Sequence, residues 1–202
     1  PASYRRRIDE GLVRGPGVFK VDYALDAPMP WLSKDAHRTS CLHVCGDIEA
    51  LTESEAAPIN GQLAERPYVL VAQHSAFDAT RAPEGQHTLW TYCHVPNGST
   101  VDMTSRIEAQ LERFAPGFQR HVLARHTKTT AEFERTNASY LGGDISGGAV
   151  EGVQVFFRPT IGLPYVTPNE RILLCSSSAP PGPGVHGMCG YWAATEALSR
   201  LR

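Results

Sequence analysis

Apolar positions set the reading of the first two thirds of the chain. Phe19, Val21, Tyr23 and Leu25 alternate with polar or small residues after the turn Gly15-Pro16-Gly17, a period of two that predicts a half-buried strand ended by Pro28 and Pro30. A second strand is expected within His37 to Cys45. Asp47 then reads as the N-cap of a helix running to about Ala57, with Pro58 breaking it. Tyr68 to Gln73 is a continuous apolar run of the kind found in central strands, and His87 to Val95, entered through Gly85, predicts a further strand. From Thr100 to Phe114 the period changes. Met103, Ile107, Leu111 and Phe114 recur at helical spacing, with Glu108 and Glu112 assigned to the solvent side. Val122 to Thr127 predicts a short strand, and Thr129 or Thr130 caps a helix to Arg135.

Strands at hairpin-like spacing outnumber strands separated by a crossover helix. The expected class is therefore α+β, a mostly antiparallel or mixed sheet with flanking helices. Beyond Tyr140 the chain becomes rich in glycine. Short strands are expected at Val153 to Phe157 and Arg171 to Cys175, then a loop and a terminal helix. This change places a boundary near residue 140, with 1–140 a substrate-domain portion and 141–202 a returning tail.

Composition narrows the function classes. With 202 residues, 42% of them hydrophobic, the chain can bury a core without staples. A net charge of −2 with signs scattered gives no electrostatic footprint for nucleic acid, and Arg5-Arg6-Arg7 is too short for a polybasic membrane anchor. No apolar stretch approaches the roughly 18 residues that span a bilayer. Five cysteines, an odd number at low density, fit reduced thiols in a cytoplasmic setting. The start at Pro1, with neither initiator Met nor signal pattern, reads as a chain processed or cut from a longer one.

The densest chemical signal is Ser176-Ser177-Ser178-Ala179-Pro180-Pro181-Gly182-Pro183-Gly184-Val185-His186-Gly187-Met188. Gly182, Gly184 and Gly187 match G-x-G-x-x-G. A complete dinucleotide-binding unit also needs a following strand and an acidic residue about 20 positions on, and the chain stops one helix later. Gly184, Gly187 and Gly190 are spaced by three and would form a bare stripe on a helix, where a ligand or a closely packed sheet can approach the backbone. Met188, Trp192, Thr195, Leu198 and Leu201 form an apolar stripe that calls for a protein neighbour.

These residues resemble the C-terminal flavin-contacting segment of the phytoene desaturase and carotenoid isomerase-like FAD-dependent oxidoreductases, within the amine-oxidase-like flavoproteins. Asn137 to Gly148, Phe157-Arg158-Pro159, Pro164 to Pro168 and Leu89 to Pro96 extend the likeness over most of the chain. The resemblance implies a substrate domain followed by a segment that closes an FAD domain, whose nucleotide-binding turn belongs to a missing N-terminal half. It implies backbone contacts to FAD from Gly184, Val185, His186, Gly187 and Met188, with Ser176 and Ser177 near the ribityl-phosphate part. Many relatives carry a glycine and an acidic or small residue where this chain has Ser176-Ser177, so a carboxylate bond to the ribityl would be lost. No catalytic residue carries over. The implied reaction moves a hydride between a C–H bond of an apolar small molecule and the flavin, and the isolated chain is expected neither to retain FAD nor to act alone.

Trp90, Tyr92 and His94 share one strand face and are the candidates for the substrate side, although an ordinary aromatic core face fits them too. Cys41, His43 and Cys45 also share a face, but no second ligand pair completes a zinc site, and packed thiols are preferred. The alternative to an enzyme is a non-catalytic binding or assembly module. The surface left by a missing half would favour pairing with another chain or a homodimer.

Overall fold

The computed structural model describes residues 1–159, 162 and 164–201. These residues form five α-helices and one five-stranded sheet, an α+β arrangement. The strands are β1 (Gly17–Leu25), β2 (Cys41–Val44), β3 (Val69–Ala72), β4 (His87–Val95) and β5 (Val122–Lys128). Their spatial order is β2-β3-β4-β1-β5, and every pairing is antiparallel. Helix α1 (Ala2–Gly11), absent from the apolar pattern, has no buried residue and carries the three arginines in solvent. Helices α2 (Ile48–Ile59), α3 (Thr104–Phe114), α4 (Thr130–Thr136) and α5 (Met188–Ser199) follow.

The period-two pattern is realised in β1 and β4. Phe19, Val21, Tyr23 and Leu25 pair with Cys93, Thr91, Leu89 and His87, and this sheet face meets Met103, Ile107, Leu111 and Phe118 in one core. Burial pushes the Cys93 thiol up to about 12, so it behaves there as a small hydrophobe. Trp31 closes the core edge, its indole N–H donating to Gln73 Oε1 at 2.9 Å, while Gln73 Nε2 donates to the carbonyls of Ala36 and Thr39. A buried amide fully used in this way is a fixed strut rather than a cost.

Local signals at helix starts also hold. Asp47 accepts from Ala50 N at 2.9 Å, and Thr129 and Glu132 form a reciprocal capping box. Three expectations need correction. Pro58 does not break α2: it sits in the last turn, where the carbonyl it displaces lies near the helix end and costs little. Glu108 does not face solvent. It is 7% exposed, pairs with Arg125 and accepts from Gln119 Nε2 at 3.0 Å, because β5 and the Phe118 turn fold over that side of α3. The expected strand at Val153 to Phe157 is a single helical turn, Gly152–Val155.

The tail is ordered by polar side chains. Asp144, 1% exposed, accepts from the N–H groups of Gly15, Ser146 and Gly148. Gln154 exchanges bonds with both backbone groups of Val13. The tail meets the sheet at a seam of glycines. A methyl at Gly17 would lie 2.4 Å from Gly142 O, and one at Gly142 would lie 2.0 Å from Asn97 Oδ1. Asn97 Nδ2 spans the seam, donating to the carbonyls of Gly15 and Leu141. The strand expected at Arg171 to Cys175 is reduced to one antiparallel bridge, Val166 with Leu173. The terminal helix forms, but Gly184 and Gly187 precede it at φ +150° and +66°, so only Gly190 of the proposed stripe is helical.

Candidate functional site

The sheet face turned away from the core carries the candidate substrate residues. Trp90, Tyr92 and His94 are half-buried and stack edge to face in sequence, with ring centroids 5.3 and 5.7 Å apart. Register sets what surrounds them. Asp22 lies opposite Trp90, Lys20 opposite Tyr92, and Leu70 opposite Tyr92 on the other side. Lys20 pairs with Asp22 and stands 5.4 Å from the Trp90 ring centroid, a cation–π contact. His43, opposite Leu70, shares this face and lies 5.1 Å from the Tyr68 ring.

Helix α2 crosses the end of the ladder and brings Glu55 to His94. The His94 Nδ1 to Glu55 Oε2 distance is 2.7 Å. The helix is held there by Ser54, whose buried hydroxyl accepts from Tyr68 N at 2.6 Å. The other carboxylate oxygen, Glu55 Oε1, is buried without a hydrogen-bond partner among the described residues. The charge is felt nearby: burial and then Glu55 raise Tyr92, and the same two causes push Tyr68 up to about 12. Sequence reading missed Glu55. Its signal was faint, a carboxylate placed by the Asp47 cap on the inward side of an otherwise ordinary helix.

Glu55 and His94 line two adjoining cavities. One, of about 530 Å³, also includes Val13, Pro58, Ile59, Ser146 and Ala149. The other, of about 750 Å³, includes Leu51, Tyr68, Leu70 and Tyr92. Apolar surface predominates in both, but the first also carries Arg14, Asn97 and Glu151, and the second His43 and Asp47.

The candidate cofactor residues lie beyond a buried arginine. Arg158 is 2% exposed, and its guanidinium donates to the carbonyls of Ser146, Gly148 and Ser177. Burial lowers its pKa while Asp144 acts in the opposite direction. The clasp joins the loop lining the first cavity to the serine loop, and Gly147 lies so close that a methyl there would be 2.7 Å from Ser177 Oγ. Gly182 also serves this clasp, since a methyl on it would meet the Arg158 guanidinium at 3.1 Å. Ser176 is exposed and Ser177 half-buried. Gly184, Val185, His186 and Gly187 are exposed and Met188 half-buried. The His186 ring folds over Gly184, and its Nδ1 accepts from Met188 N at 3.0 Å. Thus Tyr92, His94, the cavity loop and Ser177 form one connected region, whereas Trp90 and the mostly exposed Gly184 to Met188 turn line neither cavity.

Trp192, Leu198 and Leu201 stand exposed, and the buried positions of α5 are instead Cys189 and Ala193. The apolar stripe is therefore largely in solvent, with Met188 half-buried and Trp192 in edge contact with Tyr191. All five cysteines are free, and no group of three or more His, Cys, Asp or Glu able to hold a metal occurs among the described residues. No helix among them is long and apolar enough to cross a membrane.

Comparison with known proteins places this region. Over 216 aligned residues the chain is 30% identical to pyridine nucleotide-disulfide oxidoreductase domain-containing protein 2 of Rattus norvegicus, covering 96% of this chain and 37% of that protein. The Mus musculus protein of the same name is 29% identical over 224 residues, covering 100% of this chain and 38% of its own length. The chain is a relative of oxidoreductase-domain proteins. It spans less than two fifths of their length. The printed name is that of an oxidoreductase-domain protein and does not single out the phytoene desaturase-like branch. No family model matches the chain.

Proposed function

We propose that the chain supplies the substrate side, and a closing contact to FAD, of a flavin-dependent oxidoreductase of the dehydrogenase, desaturase or isomerase type. The observation that carries this reading is the run of contacts from Tyr92 and His94 through two cavities and the Arg158 clasp to the serine loop, which the exposed glycine turn follows in the chain. The turn fits a closely approaching cofactor. Methyl groups at Gly187 or Gly190 would meet nothing within 4 Å, and the N-cap Gly187 brings no side chain to the start of α5, where His186 Nδ1 accepts from Met188 N. When bound, the flavin would accept or return a hydride. The chain's own residues would hold an apolar substrate against the ladder, shield it from water, and present the Gly184 to Met188 backbone and Ser176-Ser177 to the cofactor.

The G-x-G-x-x-G at Gly182 is not a nucleotide-binding turn in this reading, since Gly182 is committed to Arg158. That turn is proposed to belong to a partner half outside these 202 residues. The test compares this chain with a longer protein that includes such a half. The longer protein is expected to stay yellow after desalting, and the 202-residue chain to lose FAD. Gly190→Val, sterically free here, should weaken FAD retention without lowering the melting temperature. A longer protein that remains colourless, and is not stabilised by added FAD, would overturn the proposal. The second reading, a binding or assembly module, is favoured by one observation, the exposed Val185, Trp192, Leu198 and Leu201. A stable dimer with no response to FAD would support it.

A further inference from the structure

The His94 imidazole has one nitrogen committed and one open. Nδ1 faces Glu55 Oε2, whereas Nε2 makes no hydrogen bond to a described residue and is not among the buried polar atoms left unpaired. Since His94 lines both cavities, Nε2 is open to them. In the neutral imidazole a carboxylate across Nδ1 keeps the proton on that nitrogen, which makes Nε2 an acceptor. Glu55 is itself fixed by α2, so the ring is held for a ligand rather than free to turn.

We infer that this site takes an apolar molecule carrying a hydroxyl group, whose O–H donates to His94 Nε2 while its body lies along the Leu51, Tyr68, Leu70 and Tyr92 wall. The inference rests on reading this face as the substrate side. A pure hydrocarbon would cover Nε2 and leave it unpaired, which loses roughly tenfold in affinity against a matching donor. His94 is thus the group that touches the substrate, and Glu55 the residue that positions it.

The test uses 4-phenyl-2-butanol and butylbenzene, which share an apolar body and differ in the hydroxyl. Calorimetry on the protein is expected to show the alcohol binding about tenfold tighter. Imidazole 15N spectra should show the alcohol shifting His94 Nε2, with a single tautomer before addition. His94→Phe should abolish the preference for the alcohol. Glu55→Gln keeps the imidazole and should mix its tautomers and cut the preference several-fold, so the test survives if the first variant folds poorly. Equal affinity, no binding of either probe, or an unmoved Nε2 signal overturns the inference. None of these readouts needs flavin. Equal binding in a protein that holds FAD would therefore remove the hydroxyl alone, and loss of FAD with the preference intact would remove only the flavin reading.

Discussion

The sheet and the tail are held together by opposite means. In the sheet, β1, β4 and α3 bury Phe19, Leu25, Leu89, Ile107 and Leu111 to 2% exposure or less. In the tail from Asp144 onward the deeply buried large side chain is Arg158, while Val153, Phe156, Val185 and Leu198 lie in solvent. Apolar burial is non-directional and tolerates some repacking. A network of buried polar groups is directional, and each lost partner leaves its counterpart unsatisfied. The lesson is that, among the described residues, the apolar groups the tail buries are small ones such as Ala149, Ala179, Cys189 and Ala193, and its large hydrophobics named above do not hold it. A few charged and amide groups fix its path and leave its hydrophobic side chains available.

The sharpest break in that comparison would come from truncating one leucine in each region. Leu111→Ala is expected to cost about 2–5 kcal/mol in urea unfolding, as a cavity in a close-packed core. Leu198→Ser, 61% exposed, should change stability by less than about 0.5 kcal/mol. Equal losses would mean that α5 has a packed neighbour in solution. Next in size, Arg158→Met should cost about 2–4 kcal/mol, because it strands three carbonyls and leaves Asp144 without its buried counter-charge. The loss is expected locally. Limited proteolysis should quicken between residues 144 and 187 while β1 and β4 amides keep their protection. A uniform loss across the chain would show that both regions unfold together.

The smallest effect probes the joint between them. Thr129→Ala removes half of the capping box and should cost about 0.5–1 kcal/mol. Backbone and hydroxyl donation from Thr129 holds the Glu132 carboxyl below the usual glutamate range. A carboxyl depressed by folding contributes stability above its unfolded pKa and loses it as pH falls through the folded one. The wild type should therefore lose α4 protection as pH falls from about 5 through that lowered value. Thr129→Ala should lose less over the same interval, which hydrogen exchange at each pH would measure.

The sequence made the sheet legible because its information is periodic. Alternation in Val18 to Leu25 and the helical spacing of Met103 to Phe114 identify both partners of the core. Asp47 and Thr129 mark their helices through local chemistry. What stayed hidden depends on distant pairing. Glu108 looks like any outward glutamate until Arg125 and Gln119 fold over it. Arg158, visible only as part of a resemblance, gives no local sign that it will be buried. At the candidate site, Trp90, Tyr92 and His94 could be placed on one face by counting in twos. Glu55 needed a helix crossing angle, which no window of sequence contains. The tail strand expected at Arg171 to Cys175 failed for a related reason: Ile172 to Cys175 has strand-like composition, but among the described residues only the bridge from Val166 reaches it.

The glycine seam constrains how this chain can drift. At Gly17 and Gly142 the smallest possible side chain already collides with backbone or with Asn97. Alanine at either position would leave every core side chain unchanged and still displace the loop that walls the first cavity. Two hydrogen atoms thus set the gap between scaffold and site. Homologous sequences should be searched for substitutions at these positions before any change in ligand preference is ascribed to the residues that line the cavity.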